Sequence, residues 1–281
     1  MTTADNAEVP NFANLLRLDG RRFVVVGAGA GIGRQSSHAL SQLGAQLLCV
    51  DIDEVRAKEI AEEVGGVPLV ADARERSETV RMIDAARSSL GGLDGIVDIV
   101  GMARWGGLLD TPEEDWDWTF ATVLHHAYHL VQLGGRAMAE HGGTMVFVAS
   151  IDGTIAAPFH APYGAAKAGL LNLVRTASVE LGPLGIRVNA VCPGPTKTPR
   201  VLAISGGAIP ASPAEGGSLY IPLGAANETW DIASAILFLS SGLSGKVSGQ
   251  AITVDGAATN MVYDIERMHG SPAHPLPSIG R

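Results

Sequence analysis

The chain has 281 residues, of which 46% are hydrophobic, 17% are charged and 35 are glycines. This much apolar surface excludes intrinsic disorder as the main state, and the length suffices for a sizeable core. The formal net charge of −9 argues against nucleic acid or an anionic membrane as the main partner.

Neither a membrane span nor an export signal is predicted. No apolar run approaches the ~20 residues that cross a bilayer, and the polar, acidic first residues contain no apolar signal core. Cys49 and Cys192 each lie in an apolar run, which is typical of free thiols in a reducing cytosol. We therefore expect a cytoplasmic protein.

Short apolar runs alternate with helical stretches along most of the chain. Such runs are typical of parallel strands that are buried on both faces. Alternation of strand and helix gives right-handed crossovers, and hence an open sheet that is covered by helices on both sides. We predict an α/β fold with a doubly wound parallel sheet, whose strands are 23–26, 46–50, 67–70, 95–97, 144–148, 186–191 and 251–254.

Three segments depart from this alternation. Residues 1–18 precede the first strand, and we expect a loose N-terminal arm. Residues 199–223 contain repeated Gly and Pro without a clear period, and a loop of this length in a compact domain is usually functional, so we predict a substrate lid. Residues 261–281 form an irregular C-terminal tail. No linker divides residues 19–260, which we interpret as one domain.

A glycine-rich turn directly follows the first strand and opens a helix. It reads GAGAGIG from Gly27 to Gly33. Glycines let backbone N–H groups approach a pyrophosphate, and the helix N-terminus adds partial positive charge. Gly-Ala repeats also occur in plain turns, but the placement between strand and helix favours a dinucleotide site. We assign cofactor binding to Gly27, Gly31, Ile32 and Gly33.

The second strand ends at Asp51, whose carboxylate suits the two hydroxyls of an adenosine ribose. The same charge would repel a 2′-phosphate, so NAD is favoured over NADP. An alternative is that Asp51, or Asp53 after it, merely caps the helix that begins near Glu54. Arg34 is a weak signal for NADP, because a cation beside the turn could meet a phosphate.

A serine, a tyrosine and a lysine suggest carbonyl–alcohol redox chemistry. Tyr163 and Lys167 lie four positions apart, on one face of a predicted helix, and Ser150 ends the fifth strand. A nearby ammonium stabilises a phenolate and lowers its pKa. Lys167 could do this for Tyr163, while Ser150 could bind the substrate oxygen. By spacing alone, however, such a Tyr–Lys pair is usually a solvated helix face.

Together with Pro193-Gly194 after the sixth strand, these motifs resemble the short-chain dehydrogenase/reductase family, from about Gly20 to Gly256. The resemblance implies a single-domain, Rossmann-type sheet of about seven strands and an NAD-dependent enzyme of the EC 1.1.1 type. It implies Tyr163 as acid/base, Lys167 as the group that lowers its pKa and binds the nicotinamide ribose, and Ser150 as the substrate-orienting group. Further cofactor contacts implied are Asp72, Ala73, Gly101, Pro193, Gly194, Thr196 and Thr198. No metal is predicted.

Two positions depart from the family pattern. Where relatives carry Asn-Asn-Ala-Gly, this chain reads Asp98-Ile99-Val100-Gly101 and retains only the glycine. Where relatives keep an asparagine that holds a relay water, alignment through Trp116 gives Val123. The relay is then rerouted, through backbone or His126, or proton exchange is slowed. We interpret His126 as an ordinary helix residue.

The predicted substrate wall is mainly apolar and consists of Ile151, Phe159, His160 and Leu202. It favours a small hydrophobic secondary alcohol, including alicyclic ones, or its ketone, and NAD pools favour oxidation. One alternative is an NAD-binding scaffold or sensor with little turnover, because of Val123. Another is a keto-ester reductase, against which Asp51 argues. The resemblance also implies a homotetramer or homodimer, and Ala165, Ala166 and Gly169 offer a face for close helix pairing.

Overall fold

Seven parallel strands form one sheet in the computed structural model, which describes residues 8–213, 216–217 and 219–260. The strand order is β3-β2-β1-β4-β5-β6-β7, so the predicted doubly wound α/β fold is confirmed. Observed strand limits lie within two residues of the predicted ones. The strands are β1 Arg22–Val26, β2 Gln46–Asp51, β3 Val67–Val70, β4 Gly95–Asp98, β5 Gly143–Val148, β6 Ile186–Pro193 and β7 Ala251–Val254.

Helices connect the strands. Within the part of the chain that the structure describes, no helix is long and apolar enough to cross a membrane. The α-helices are α1 Phe12–Leu16, α2 Gly31–Gln42, α3 Glu54–Val64, α4 Arg76–Ala85, α5 Glu113–Phe120, α6 His126–Met138, α7 Ala161–Leu181, α8 Pro199–Ile204 and α9 Thr229–Ser240.

The sheet separates two hydrophobic cores. Successive residues of a strand point to opposite faces, so Val24 and Val26 of β1 enter one core while Phe23 and Val25 enter the other. Helices α4, α6 and α7 cover the first face, and α2, α3 and α9 cover the second. Each fully buried Leu, Ile or Val contributes about 1.5–3 kcal/mol. Both faces of the sheet are therefore held by apolar packing.

The N-terminal arm is more ordered than its composition suggested. Asn11 caps α1 by accepting hydrogen bonds from the backbone N–H groups of Ala13 and Asn14. Leu18 is buried in the second core, and its N–H donates to the carbonyl of Leu43 at 2.8 Å. The prediction of a loose arm is thus wrong for residues 11–18, because Leu18 anchors them. Residues 1–7 lie outside the described residues.

The predicted lid is not irregular at its start. Helix α8 begins at Pro199, and the hydroxyl of Thr198 caps it by accepting from the N–H of Val201 at 3.2 Å. A threonine cap followed by proline is a standard helix start, which the many glycines and prolines further on obscured. The predicted tail, 261–281, lies outside the described residues.

The direction of winding reverses between β1 and β4, which are neighbours in the sheet. In open parallel sheets, ligands bind in the crevice beyond the carboxyl ends of the strands at such a point. The glycine turn follows β1, and residues 98–101 follow β4. The fold therefore places both segments at one crevice.

Candidate active site

The glycine turn packs tightly against the first turn of α2. A Cβ atom on Gly33 would lie 1.9 Å from the carbonyl oxygen of Gly27, so any side chain there would displace the turn. No side chain caps α2. The N–H of Gly33 donates to the carbonyl of Ala30 at 3.0 Å, which leaves the N–H groups of Gly31 and Ile32 for an anion. Ile32 is buried in the second core and anchors this end of the helix. The turn therefore fits the pyrophosphate of a dinucleotide.

The carboxylate of Asp51 is held against the glycine turn. One oxygen accepts from the N–H of Gly29 at 2.9 Å, and the other accepts from the N–H of Asp53 at 3.0 Å. Asp53, not Asp51, caps α3, by accepting from the N–H of Arg56 at 3.0 Å. Because an ionised carboxylate has about four acceptor sites, two remain for ribose hydroxyls. The position thus fits an adenosine ribose.

Arg34 does not favour a phosphorylated ribose in this structure. Its guanidinium pairs with Glu63 at 2.8 Å, and the same carboxylate binds the imidazole of His38. The cation is therefore engaged with α3 rather than with the turn.

Asp72 and Ala73 follow β3 at the predicted adenine end. The Asp72 carboxylate pairs with the Arg74 guanidinium, and this hydrogen bond lowers the pKa of Asp72. Ala73 is buried in the first core. The adenine role of both residues stays a prediction.

The segment after β6 reaches back to the glycine turn. The N–H of Gly194 donates to Val254 at 2.8 Å, and the hydroxyl of Thr196 donates to the carbonyl of Gly194 at 2.8 Å. A Cβ atom on Gly31 would lie 3.5 Å from Cβ of Thr198. Thr198 therefore lies beside the glycine turn, and the cofactor roles of Pro193, Gly194, Thr196 and Thr198 stay predictions. The Thr198 hydroxyl, although it caps α8, keeps its own proton to donate.

Ser150, Tyr163 and Lys167 come together at the ends of β5 and α7. The Lys167 side chain is buried, its Nζ donates to the carbonyl of Val148 at 2.6 Å, and Nζ lies 5.5 Å from the centre of the Tyr163 ring. A Cβ atom on Gly101 would lie 2.7 Å from this Nζ, so a side chain there would have to displace the end of the lysine. These three side chains, called the trio below, therefore lie next to Gly101.

Burial dominates the acid–base properties of this trio. It raises the pKa of Tyr163 well above its usual value, and the charge of Asp152 raises it further. The hydrogen bond to Ser150 and the charge of Arg200 act in the opposite direction. Burial also lowers the pKa of Lys167 to about 8, with Asp98 opposing this change. The pKa of Tyr163 is therefore raised overall, whereas the expected effect of Lys167 is to lower it.

Asp98, which belongs to the first departure from the family pattern, forms a buried pair with His126 that the sequence did not predict. Nε2 of His126 lies 2.9 Å from the Asp98 carboxylate, and both side chains are fully buried. The other Asp98 oxygen accepts from the N–H of Val100 at 3.2 Å. A carboxylate at the end of an apolar strand was the available signal, because such a group requires a buried partner.

Val123 is fully buried in the π-helical turn Ala121–His125, directly before α6. Such turns are frequent at functional sites. Its side chain offers no hydrogen-bonding group, in contrast to the asparagine of relatives.

The predicted substrate residues are called the entrance below; of these, Ile151 and His160 adjoin the trio. Ile151 is buried directly after Ser150, and Leu202 lies on α8. Phe159 is exposed with a φ of 63°, and its carbonyl accepts from the N–H of Gly106 at 3.1 Å. The ring of His160 lies between Trp105 and Tyr163, at centroid distances of 3.4 and 5.5 Å.

The lid helix and the loop after β4 are connected across this entrance. Arg200 of α8 donates to the carbonyl of Ala103 at 3.1 Å. Within the described ranges, no cluster of side chains could hold a metal ion.

Comparison with known proteins agrees with this geometry. A family model described as enoyl-(acyl carrier protein) reductase matches residues 27–259. The chain is 30% identical over 247 residues to a 3-oxoacyl-(acyl-carrier-protein) reductase of Thermotoga maritima, covering 86% of this chain and 98% of that protein. It is 32% identical over 244 residues to an L-rhamnose 1-dehydrogenase (NAD(P)(+)) of Azotobacter vinelandii, covering 83% of this chain and 94% of that protein.

A solved structure gives the same result. A 7α-hydroxysteroid dehydrogenase complexed with NADH and 7-oxo glycochenodeoxycholic acid is 29% identical, with a TM-score of 0.81, and the match covers 91% of this chain and 100% of that one. Fold, motifs and relatives agree, and the chain belongs to the short-chain dehydrogenase/reductase family of oxidoreductases.

Proposed function

We propose that this protein is an NAD-dependent dehydrogenase that interconverts a hydrophobic secondary alcohol, including alicyclic alcohols, and its ketone. The observation that carries the proposal is the placement of Ser150, Tyr163 and Lys167 beside Gly101, in the crevice that Asp51 and the glycine turn also border. The mainly apolar entrance supports a hydrophobic substrate.

Each group of the trio then has one task. The cofactor, when bound, supplies the hydride acceptor for the carbinol carbon. Ser150 donates a hydrogen bond to the substrate oxygen. The phenolate form of Tyr163 takes the proton from the substrate hydroxyl. Lys167 brings a positive charge next to the phenol and would bind the nicotinamide ribose. Asp51 holds the adenosine ribose through its remaining acceptor sites.

Two alternatives have support of their own. The apolar Val123 at the relay position supports an NAD-binding scaffold with little turnover, but the retention of all three trio residues argues against it. The Thermotoga relative is named as a 3-oxoacyl reductase, which supports a keto-ester substrate. The two acceptor sites that remain on Asp51 favour NAD, and thereby the alcohol dehydrogenase.

A screen of NAD reduction over secondary alcohols of increasing ring size tests the proposal. We expect turnover to rise with ring size, because the entrance is lined by apolar side chains. Tyr163→Phe is the matched negative control. Absence of NAD reduction with every alcohol, together with NADPH-dependent reduction of 3-oxo esters, would favour the keto-ester reductase.

The rate of alcohol oxidation is expected to rise with pH through the alkaline range. Oxidation needs Tyr163 deprotonated, and burial raises the pKa of this group, so the reactive form increases as pH rises. Ketone reduction needs the protonated phenol, which remains the main form of Tyr163 over this range, so the rate of reduction should change little. The measurement is kcat/KM in both directions between about pH 6 and about pH 10. A flat profile for oxidation would contradict the role of Tyr163 as base.

Val123→Asn should move the oxidation profile toward neutral pH, or raise the rate, if its amide restores the relay water. An amide left unpaired there would cost roughly 1–3 kcal/mol, which thermal unfolding would reveal. Val123→Leu is the control, because leucine has about the shape of asparagine and offers no hydrogen-bonding group.

We also infer a homotetramer or homodimer, and we expect the tetramer. Ala166 is buried, and a Cβ atom on Gly169 would lie 2.9 Å from the side chain of Leu124, so neither residue is available for pairing between copies. Exposed apolar residues on α5, α6 and α7 support an interface instead; these are Trp116, Tyr128 and Val179. Light scattering at micromolar concentration tests this, and a monomer would refute it.

A further inference from the structure

A second polar pair lies beside the trio, and the proposed reaction does not use it. Nδ1 of His160 lies 3.2 Å from the Asp152 carboxylate, and the two side chains are 12% and 21% exposed. The backbone N–H of Asp152 donates to the hydroxyl of Ser150 at 3.1 Å. The pair is thus built on the same two segments that carry Ser150 and Tyr163.

The pairing with Asp152 determines what the free nitrogen of His160 can do. An ionised carboxylate only accepts hydrogen bonds, so Nδ1 carries the proton that it shares with Asp152. In the neutral ring, Nε2 is then an acceptor. This atom is buried and has no hydrogen-bond partner among the described residues. A buried acceptor without a partner is costly. A substrate hydroxyl that displaces the covering Trp105 ring would satisfy it.

The backbone next to His160 is also held in an uncommon conformation. Phe159 has a φ of 63°, which non-glycine residues rarely adopt, and the hydrogen bond from Gly106 fixes its carbonyl. Trp105, from the same loop as Gly106, covers the imidazole. Strained backbone of this kind occurs where the surrounding structure over-determines a binding group. The imidazole is therefore held in place by both loops at the entrance.

We propose that Nε2 of His160 accepts a hydrogen bond from a second hydroxyl group of the substrate, on the carbon next to the one that is oxidised. The inference rests on the proposed function and narrows its substrate class to vicinal diols, of which alicyclic ones fit the apolar wall. The 5.5 Å between the Tyr163 and His160 rings lets two oxygens of one small molecule reach both side chains. One hydroxyl is oxidised to the ketone, and the second hydroxyl is unchanged.

The test compares two substrates of equal ring size, cyclohexanol and 1,2-cyclohexanediol, in both relative configurations of the diol. The measurement is kcat/KM at saturating NAD for the wild type and three variants. His160→Phe keeps an aromatic ring against Trp105 and removes the acceptor, whereas His160→Gln restores one. His125→Phe, at an exposed histidine of the π-helical turn, is the matched control.

The wild type should prefer one diol over cyclohexanol, and His160→Phe should reduce that preference by about tenfold, the worth of one hydrogen bond. His160→Gln should recover part of the preference for the diol, and His125→Phe should leave this preference unchanged. If the wild type oxidises both substrates and His160→Phe keeps the same ratio, the inference is wrong and the proposed function stands. If neither substrate is oxidised while Tyr163→Phe binds NAD as the wild type does, the proposed function fails as well.

Discussion

Replacing Tyr163 with phenylalanine should lower kcat for alcohol oxidation by about a thousandfold while NAD still binds. The substitution removes only the hydroxyl that takes the substrate proton. The ring remains between His160 and Lys167, so packing is retained. Steady-state kinetics gives the loss in turnover, and titration of protein fluorescence with NAD gives the cofactor affinity.

Tyr128→Phe is the matched control for this change. Tyr128 is an exposed residue of α6 whose hydroxyl accepts a hydrogen bond from Gln132 at 2.9 Å. We expect its turnover to stay within about twofold of the wild type, as for surface substitutions generally. If Tyr163→Phe kept a substantial fraction of wild-type turnover on the best substrate, another group would have to act as base.

Asp51→Ala should narrow the preference for NAD over NADP by about a hundredfold. Two effects add: the ribose loses charge-assisted hydrogen bonds, each worth roughly 1.5–3 kcal/mol, and the 2′-phosphate no longer meets a negative charge. The measurement is the Kd of each cofactor for the wild type and the variant. Equal wild-type affinity for NAD and NADP would refute the assignment of Asp51.

Asp53→Ala separates a cofactor effect from a general loss of structure. This acid lies two residues further on and caps α3 through the N–H of Arg56. Its removal should cost about 1 kcal/mol in the free energy of unfolding and leave the ratio of cofactor affinities unchanged. A ratio that moved equally in both variants would mean that Asp51 acts through the local fold only.

The sequence predicts the sheet well because strand signals are local. Each buried strand is a short apolar run, and the glycine turn is defined by its position between strand and helix. The same holds for the trio, whose members lie close together in the chain. For such features, neighbouring residues carry most of the information.

Contacts between distant segments were the features that could not be predicted. Leu18 gives no sign in its own surroundings that it will enter the second core, yet this burial orders the arm. The pKa of Tyr163 is raised mainly by burial, which the spacing to Lys167 could not predict. His126 pairs with a residue 28 positions earlier, on another element.

The Asp98–His126 pair has a consequence for how this sequence can diverge. With both side chains fully buried, loss of either partner leaves a polar group in the interior without its match, at a cost of about 1–3 kcal/mol. We therefore expect a change at one position to favour a change at the other. An engineer who replaces the carboxylate at position 98 with an amide should also choose a new residue at position 126. A double-mutant cycle across the two sites would show strong non-additivity, since they share one buried contact.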